Sequence, residues 1–281
     1  MRSILEKLAR GEITVEEAER ALRLAAIEEV GEVARLDVGR ELRTRIPEIV
    51  LGEGKAREDL LRIAERLLAE QGRAIISRVS EEQARALEEA FRKEDVQVEV
   101  HERARIVVLR REGQALQRTG GRVGVIAAGT ADIPVAEEAR VVAQEMGCEV
   151  LTAYDVGVAG IHRLFPALKR MLEADVDVLV VVAGREGALP SVVAGLVDVP
   201  VIGVPTSVGY GLGAGGVSAL MAMLQSCSLG LTVVNVDAGV AAGAAAALIA
   251  NRVAEKAGRA RERIMGGKLP QSPLTMGARE G

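Results

Sequence analysis

The run VDVLVVVAGREGALPSVVAGL, residues 176–196, decides how the rest of the chain is read. After Val176 and Asp177 it runs through an unbroken apolar stretch, 178–183, turns through Gly184, Arg185, Glu186 and Gly187, and continues into a helix-like segment that begins near Pro190. A strand wet on one face would alternate apolar and polar residues, so a continuous apolar run means that both faces are covered. Four other stretches follow the same plan: RVGVIAAGTAD (122–132), CEVLTAYDVGVAG (148–160), PVIGVPTSVGYG (200–211) and LTVVNVDAG (231–239). Helical segments are expected after them at 134–146, 161–173, 190–196, 216–227 and 240–256. Buried strands alternating with helices predict a parallel sheet covered on both faces, and right-handed crossovers make it a three-layer, doubly wound α/β fold. Ligands in such sheets bind beyond the carboxyl ends of the strands. That rule brings 129–132, 155–163, 184–190, 206–213 and 235–239 to one rim.

Upstream the chain is more charged. A short helix ends at Gly11, and Thr14 with Glu17 has the spacing of a capping box at the start of a helix expected to run to about Val30. Short strands are expected at EIVLG, RAIISRV, VQVEV and ARIVVLR, with amphipathic helices at 55–69 and 80–92. The reading is a small α/β domain over 1–118, a catalytic α/β domain over 119–255 and a charged, flexible tail over 256–281. Arg40, Arg43, Glu48 and Lys55 form either a substrate-facing cluster or a solvated face.

Composition narrows the function. Of 281 residues 49% are hydrophobic but only 1% aromatic, with no Trp, so the core is aliphatic and stacking platforms for single-stranded nucleic acid are lacking. A net charge of −4 gives no nucleic-acid footprint. The two cysteines are too few for a disulfide framework and fit a reducing cytoplasm. The N-terminus is amphipathic, unlike a signal peptide, and the apolar stretch 238–250 is too short to span a bilayer, so no membrane association is expected.

Chemistry collects at the rim. Gly129, Thr130 and Asp132 precede Pro134 at a helix start, where free amides suit an anion and Asp132 either caps the helix or holds a ribose hydroxyl or a metal. His162 begins a helix beside Arg163 and is either a structural histidine or a general acid/base. Glu186 lies in a glycine-rich loop, as an acid/base or a solvated glutamate. Thr206, Ser207 and Tyr210 offer donors from a loop that either closes over a ligand or is merely mobile. Cys227, in MLQSC (223–227), is either a small packed hydrophobe or a nucleophile, and a helix C-terminus disfavours the thiolate.

The motifs AGTADIPVAEEA, DVGVAGIHRL, VVAGREGALPSVVAGL, PVIGVPTSVGYG, MLQSC and VVNVDAG, together with LDVGRELRTRIPEIVLGEGK near the N-terminus, resemble the pyridinium-3,5-biscarboxylic acid mononucleotide synthase family, called LarB, of nickel-pincer cofactor biosynthesis. The sheet unit resembles, more distantly, the aminoimidazole-ribonucleotide carboxylase/mutase family. The synthase resemblance implies carboxylation of nicotinic acid adenine dinucleotide by carbon dioxide or bicarbonate, hydrolysis that releases AMP, a magnesium ion, and a homo-oligomer, an octamer, packed in part through the small-residue helices 187–196 and 238–250. It implies Cys227 as a transient covalent nucleophile, Glu186 as acid/base, His162 and Arg163 near a carboxylate or phosphate, and Asp132 on ribose or magnesium. The dinucleotide would be held by Gly129, Thr130 and Asp132 in the first motif and by Gly157, Ala159, Gly160 and Arg163 in the second. Gly184, Gly187 and Ala188 would hold it in the third, with Ser207, Gly209 and Ser226 completing the set. Ala131, Arg185, Gln225, Ala238 and Val240 depart from the family pattern; losing a hydroxyl at 131 removes a phosphate contact, and Arg185 sets a cation beside Glu186. The competing readings are an aminoimidazole-ribonucleotide carboxylase/mutase, which needs no cysteine nucleophile, and a non-catalytic nucleotide-binding regulatory module.

Overall fold

The computed structural model describes residues 2–24, 28–30, 34–37, 39–92 and 95–265. Two helices, α1 (Arg2–Ala9) and α2 (Val15–Leu24), open the chain. Thr14 and Glu17 form the expected capping box: the Glu17 N–H donates to Thr14 Oγ1 at 3.2 Å and the Thr14 N–H to Glu17 Oε2 at 2.9 Å. The helix does not reach Val30. It ends at Leu24, and β1 (Glu28–Val30) pairs antiparallel with β2 (Ala34–Leu36). The β-branched Val30 and the Gly31 that follows it are poor helix formers, so the sequence disfavours further helix here.

After α3 (Arg40–Thr44) come β3 (Ile49–Leu51), α4 (Arg57–Gln71), β4 (Arg73–Ser77), α5 (Glu81–Phe91), β5 (Val96–His101) and β6 (Ile106–Arg111). The strands form a mixed sheet in the order β3-β4-β6-β5, with only β3 and β4 parallel. One face is sealed by α4 and α5 through Leu60, Ile63, Leu67 and Leu87. The opposite face gives Ile75, Ile106 and Val108 to a different core, shared with the rest of the molecule.

That second part consists of β7 (Arg122–Ala127), α6 (Ile133–Glu145), β8 (Glu149–Ala153), α7 (Leu164–Glu173), β9 (Val178–Ala183), α8 (Leu189–Ala194), β10 (Val201–Pro205), α9 (Val217–Leu224), β11 (Leu231–Val233) and α10 (Gly239–Met265). All five strands are parallel, in the order β11-β10-β9-β7-β8. The three-layer, doubly wound reading holds. Every residue of β9 is buried, as its unbroken apolar run requires. Helices α7, α8 and α9 cover one face through Leu164, Met171, Leu189, Val193 and Met223. Helices α6 and α10 cover the other, with Ala136, Ala139, Ala242 and Ala246 against Val123, Val180 and Val182.

The two sheets are therefore joined through α6 and α10, whose small side chains fill the space between them. A Cβ at Gly243 would stand 2.5 Å from the Ala139 carbonyl oxygen, so only glycine lets α10 approach α6 this closely. Within the chain, the small residues of 238–250 pack α10 against α6: Ala242, Ala246, Ala247 and Ala250 are fully buried. The expected tail also begins later, because residues 256–265 continue α10; residues 266–281, which hold the rest of it, lie outside the described residues. Two buried glutamates of α6 face arginines from the N-terminal sheet. Glu145 meets Arg110 at 2.7 Å and Arg73 at 3.4 Å, and Glu138 meets Arg78 at 3.7 Å. Charges this buried persist only when paired.

Candidate functional site

The order β11-β10-β9-β7-β8 reverses direction between β7 and β9, since the chain leaves β7 toward β8 and then returns to build β9, β10 and β11 on its other side. Ligands of doubly wound sheets bind at such a switch point, outside the strands' carboxyl ends. Here that crevice is framed by Gly129 and Thr130 after β7 and by Gly184, Arg185, Glu186, Gly187 and Ala188 after β9. Beside it lie Gly157, Ala159, Gly160, His162 and Arg163 after β8, and Ser207 and Gly209 after β10. Four of the five expected loop clusters thus gather their named residues at one rim, and the fifth, after β11, joins them through Asp237.

Asp132 is the knot of this rim. It is buried, as is Thr206. Its Oδ2 accepts the Gly129 N–H at 2.9 Å, its Oδ1 accepts Thr206 Oγ1–H at 2.6 Å, and the Gly184 N–H also donates to the carboxylate. Burial lifts the Asp132 carboxyl above the usual range, while those three donors pull it back. The carboxylate expected on ribose or magnesium is thus already engaged with three strand tips. That donor set does not fit a magnesium ion, and among the described residues no cluster of three or more His, Cys, Asp or Glu side chains is placed to hold a metal.

Asp237 performs the same service after β11. Its Oδ1 accepts the Ser207 N–H at 2.8 Å, and its own N–H donates to the Pro205 carbonyl. A sequence signal for it existed, since β7, β8 and β11 are each followed within a few residues by an aspartate: Asp132, Asp155 and Asp237. Three rim residues that are not glycine, Asp155, Arg185 and Asp237, take left-handed backbone with φ of 58°, 54° and 54°. Strain of this kind clusters at functional sites.

The side chains expected to do chemistry at the rim are solvent-facing. Glu186, His162 and Arg163 are exposed, and Arg163 pairs with Asp155. Arg185 turns to the ring of Tyr210, its guanidinium 4.5 Å from the ring centre. The hydrogen bond from Arg185 holds the Tyr210 hydroxyl below its ordinary range.

Cys227 is elsewhere. Helix α9 starts at the rim, runs back along the sheet and ends at Leu224, not at 227. Cys227 lies in the loop that leads into β11, where the Gly230 carbonyl accepts the Val201 N–H at the opening residue of β10. A five-residue strand, about 16 Å long, separates that end from the rim. Ser228 Oγ donates to the Ser191 carbonyl of α8 and fixes the loop, while Cys227 is exposed and Ser226 half-buried. One chain therefore does not bring Cys227 to Glu186 and His162, contrary to the expectation of a common rim. Exposed apolar side chains surround the loop: Leu196, Met221, Leu224 and Leu229.

Residues 27–111 match the LarB/PurE-like N-terminal domain, and residues 122–267 match the AIR carboxylase family. An uncharacterised protein of Methanocaldococcus jannaschii is 44% identical over 253 residues, 89% of this chain and 96% of that protein. An N5-carboxyaminoimidazole ribonucleotide mutase of Thermotoga maritima is 33% identical over 88 residues, 30% of this chain and 49% of the mutase. The corresponding mutase of Pyrococcus horikoshii is 32% identical over 87 residues, 30% of this chain and 47% of its own length. Two domains matched in this order, and a relative matched across nearly its full length, place the chain in the AIR carboxylase family of carboxylases and mutases, in the branch that carries the LarB/PurE-like N-terminal domain.

Proposed function

We propose that the protein carboxylates the pyridinium ring of nicotinic acid adenine dinucleotide and cleaves its phosphoanhydride, yielding pyridinium-3,5-biscarboxylic acid mononucleotide and AMP for nickel-pincer cofactor synthesis. The observation that carries this reading is the pairing of a LarB/PurE-like N-terminal domain with an AIR carboxylase domain in one chain. The crevice at the switch point, framed by small residues after β7, β8, β9 and β10, suits a nucleotide.

The chemistry needs a nucleophile that adds and leaves. The Cys227 thiolate adds to the ring 4-position, its electron pair neutralising the pyridinium and giving a dihydropyridine. The ring 5-position, now an enamine carbon, forms a bond to carbon dioxide. A base, assigned to Glu186, takes the proton from that carbon. The carbon–sulfur bond then breaks, the thiolate departs and aromaticity returns. Water supplies the oxygen that cleaves the phosphoanhydride. Because Cys227 and Glu186 lie at opposite ends of one chain's sheet, the reaction requires a second copy to bring its own Cys227 loop to the rim. The apolar side chains around that loop support such a contact, since a patch of this kind marks an interaction surface. A homo-oligomer, an octamer by resemblance, is the expected assembly.

The test is incubation with nicotinic acid adenine dinucleotide and bicarbonate, with and without magnesium, followed by mass spectrometry. A dicarboxylated mononucleotide plus AMP supports the reading, and absence of both rejects it. The match to the two mutases favours one second reading, turnover of N5-carboxyaminoimidazole ribonucleotide. Conversion of that substrate at an undiminished rate by Cys227→Ala would replace the first reading with the second.

A further inference from the structure

We infer that Arg78, contributed by the N-terminal sheet, is a positioning residue for the strand-tip loops of the catalytic sheet. This rests on the reading above only in taking the rim as the place where substrate binds.

Arg78 directly follows β4 and takes a left-handed backbone conformation, φ 51°, uncommon for a residue with a Cβ. Its main chain is held there by Arg105, whose Nε donates to the Val79 carbonyl at 3.0 Å; the Val79 N–H donates in turn to the Arg105 carbonyl at 3.0 Å. Thus fixed, the side chain leaves its own sheet, and Nη2 donates to the Asp237 carbonyl oxygen at 2.6 Å. On the way its Nε stands 3.7 Å from Glu138 Oε1 and its Nη1 3.7 Å from Glu53 Oε2.

The contact with Asp237 is the first link of a chain. Asp237 receives the Ser207 N–H, and adjacent Thr206 donates its hydroxyl to Asp132. Asp132 then collects the amides of Gly129 and Gly184. Four of the five strand tips, those of β7, β9, β10 and β11, are joined in one hydrogen-bonded series whose outer end is an arginine from the other sheet. Glu138 completes the anchor. Its side chain is 10% exposed, it accepts the Val240 N–H at the first turn of α10, and its Oε2 has no hydrogen-bond partner among the described residues. A buried carboxylate so placed holds the guanidinium in line with Asp237.

A plain fastener between domains would predict a different outcome from a positioning residue. The Arg78 side chain is 35% exposed and reaches a backbone carbonyl at the rim itself, so its loss is expected to loosen loops and leave the core intact. The experiment compares full-length wild type, Arg78→Lys and Arg78→Gln by amide hydrogen exchange and by turnover of nicotinic acid adenine dinucleotide with bicarbonate. For Arg78→Gln, exchange at the Ser207 and Asp237 amides rises about tenfold while β6 keeps its protection. Its kcat falls by up to about 10²-fold, with KM changing far less, because the loops are misplaced and not removed. Arg78→Lys keeps a donor for the Asp237 carbonyl and recovers most of both. Unchanged exchange at Ser207 and Asp237, or exchange that rises equally in β6, overturns the inference. So does a local rise with kcat and KM unaltered in an active enzyme. If wild type does not turn over the dinucleotide, the proposed function fails, and the exchange pattern still decides the role of Arg78.

Discussion

The two ends of the parallel sheet are built on opposite plans. At the carboxyl ends of the strands, two buried or half-buried aspartates, a buried threonine and several backbone amides lock the loops to one another. At the amino ends, the loop 225–230 is tethered to α8 by the single side-chain bond from Ser228 and leaves Cys227 in solvent among exposed leucines. The loops of the first end are tied to one another within one chain; the second end presents a surface. Proximity in a motif set is not proximity in a site: the pieces that resemble one active centre are divided between the ends of one domain.

Variants that disable one end at a time separate the contributions of the two. Cys227→Ala is expected to lower product formation by roughly 10³-fold or more with no loss of stability, because the side chain is exposed. Glu186→Ala is expected to be similarly impaired. Co-assembled from a denatured mixture, the two inactive variants should regain measurable turnover, read by mass spectrometry, since some sites then pair an intact Cys227 with an intact Glu186. No recovery would mean that each chain completes its own site by a motion of the 225–230 loop.

Next in size is the knot at the rim. Asp132→Ala strands the Thr206 hydroxyl and the Gly129 and Gly184 amides, and is expected to cost about 2–4 kcal/mol in urea unfolding. Asp132→Asn keeps acceptor capacity and should cost less. A negligible effect of Asp132→Ala would show that the rim is no more rigid than the opposite end.

Glu138 tests the anchor behind the rim through pH. Burial raises its carboxyl from 4.5 to about 7, opposed by Arg78 and Arg105 and aided by Asp237. The folded state then keeps a proton that the unfolded chain has released, so the stability this group contributes is present in full below pH 4.5 and is lost as pH rises toward 7. In Glu138→Gln that fall should disappear, a change of about 3 kcal/mol at most across the window, followed by thermal unfolding at successive pH values. The smallest effect is expected from Ser228→Ala, about 1 kcal/mol, because it removes one partly buried hydrogen bond from the looser end.

Much of the architecture could be read in the chain itself, and the physical reason is burial. Strands covered on both faces must be continuously apolar, so β7, β9 and β10 announced themselves, and the small loops after them marked the rim. The capping box at Thr14 is equally local. What escaped was set by packing between distant segments. The helix expected to reach Val30 gave way to two short strands. The motif resemblance groups Cys227 with the rim residues, yet the eight residues of α9 carry the chain back down the length of the sheet before Cys227 is reached. Arg78 bears no motif, and its role exists only because the N-terminal sheet lies against α6 and α10. Glu138 did leave a trace: like Glu145, it is an acid among the buried positions Ala136, Ala139 and Val142 of α6.

The left-handed residues at the rim carry a consequence for anyone who would make this protein hardier. Asp155, Arg185 and Asp237 each hold a backbone shape that glycine adopts freely, so replacing Arg185 with glycine would relax the main chain by up to about 1 kcal/mol. A screen for heat resistance alone would tend to find that change. At Asp237 the same exchange would remove the carboxylate that receives Ser207. Selection for toughness and selection for a working crevice thus pull these positions in opposite directions, and a thermostabilised variant should be checked first at the tips of β9 and β11.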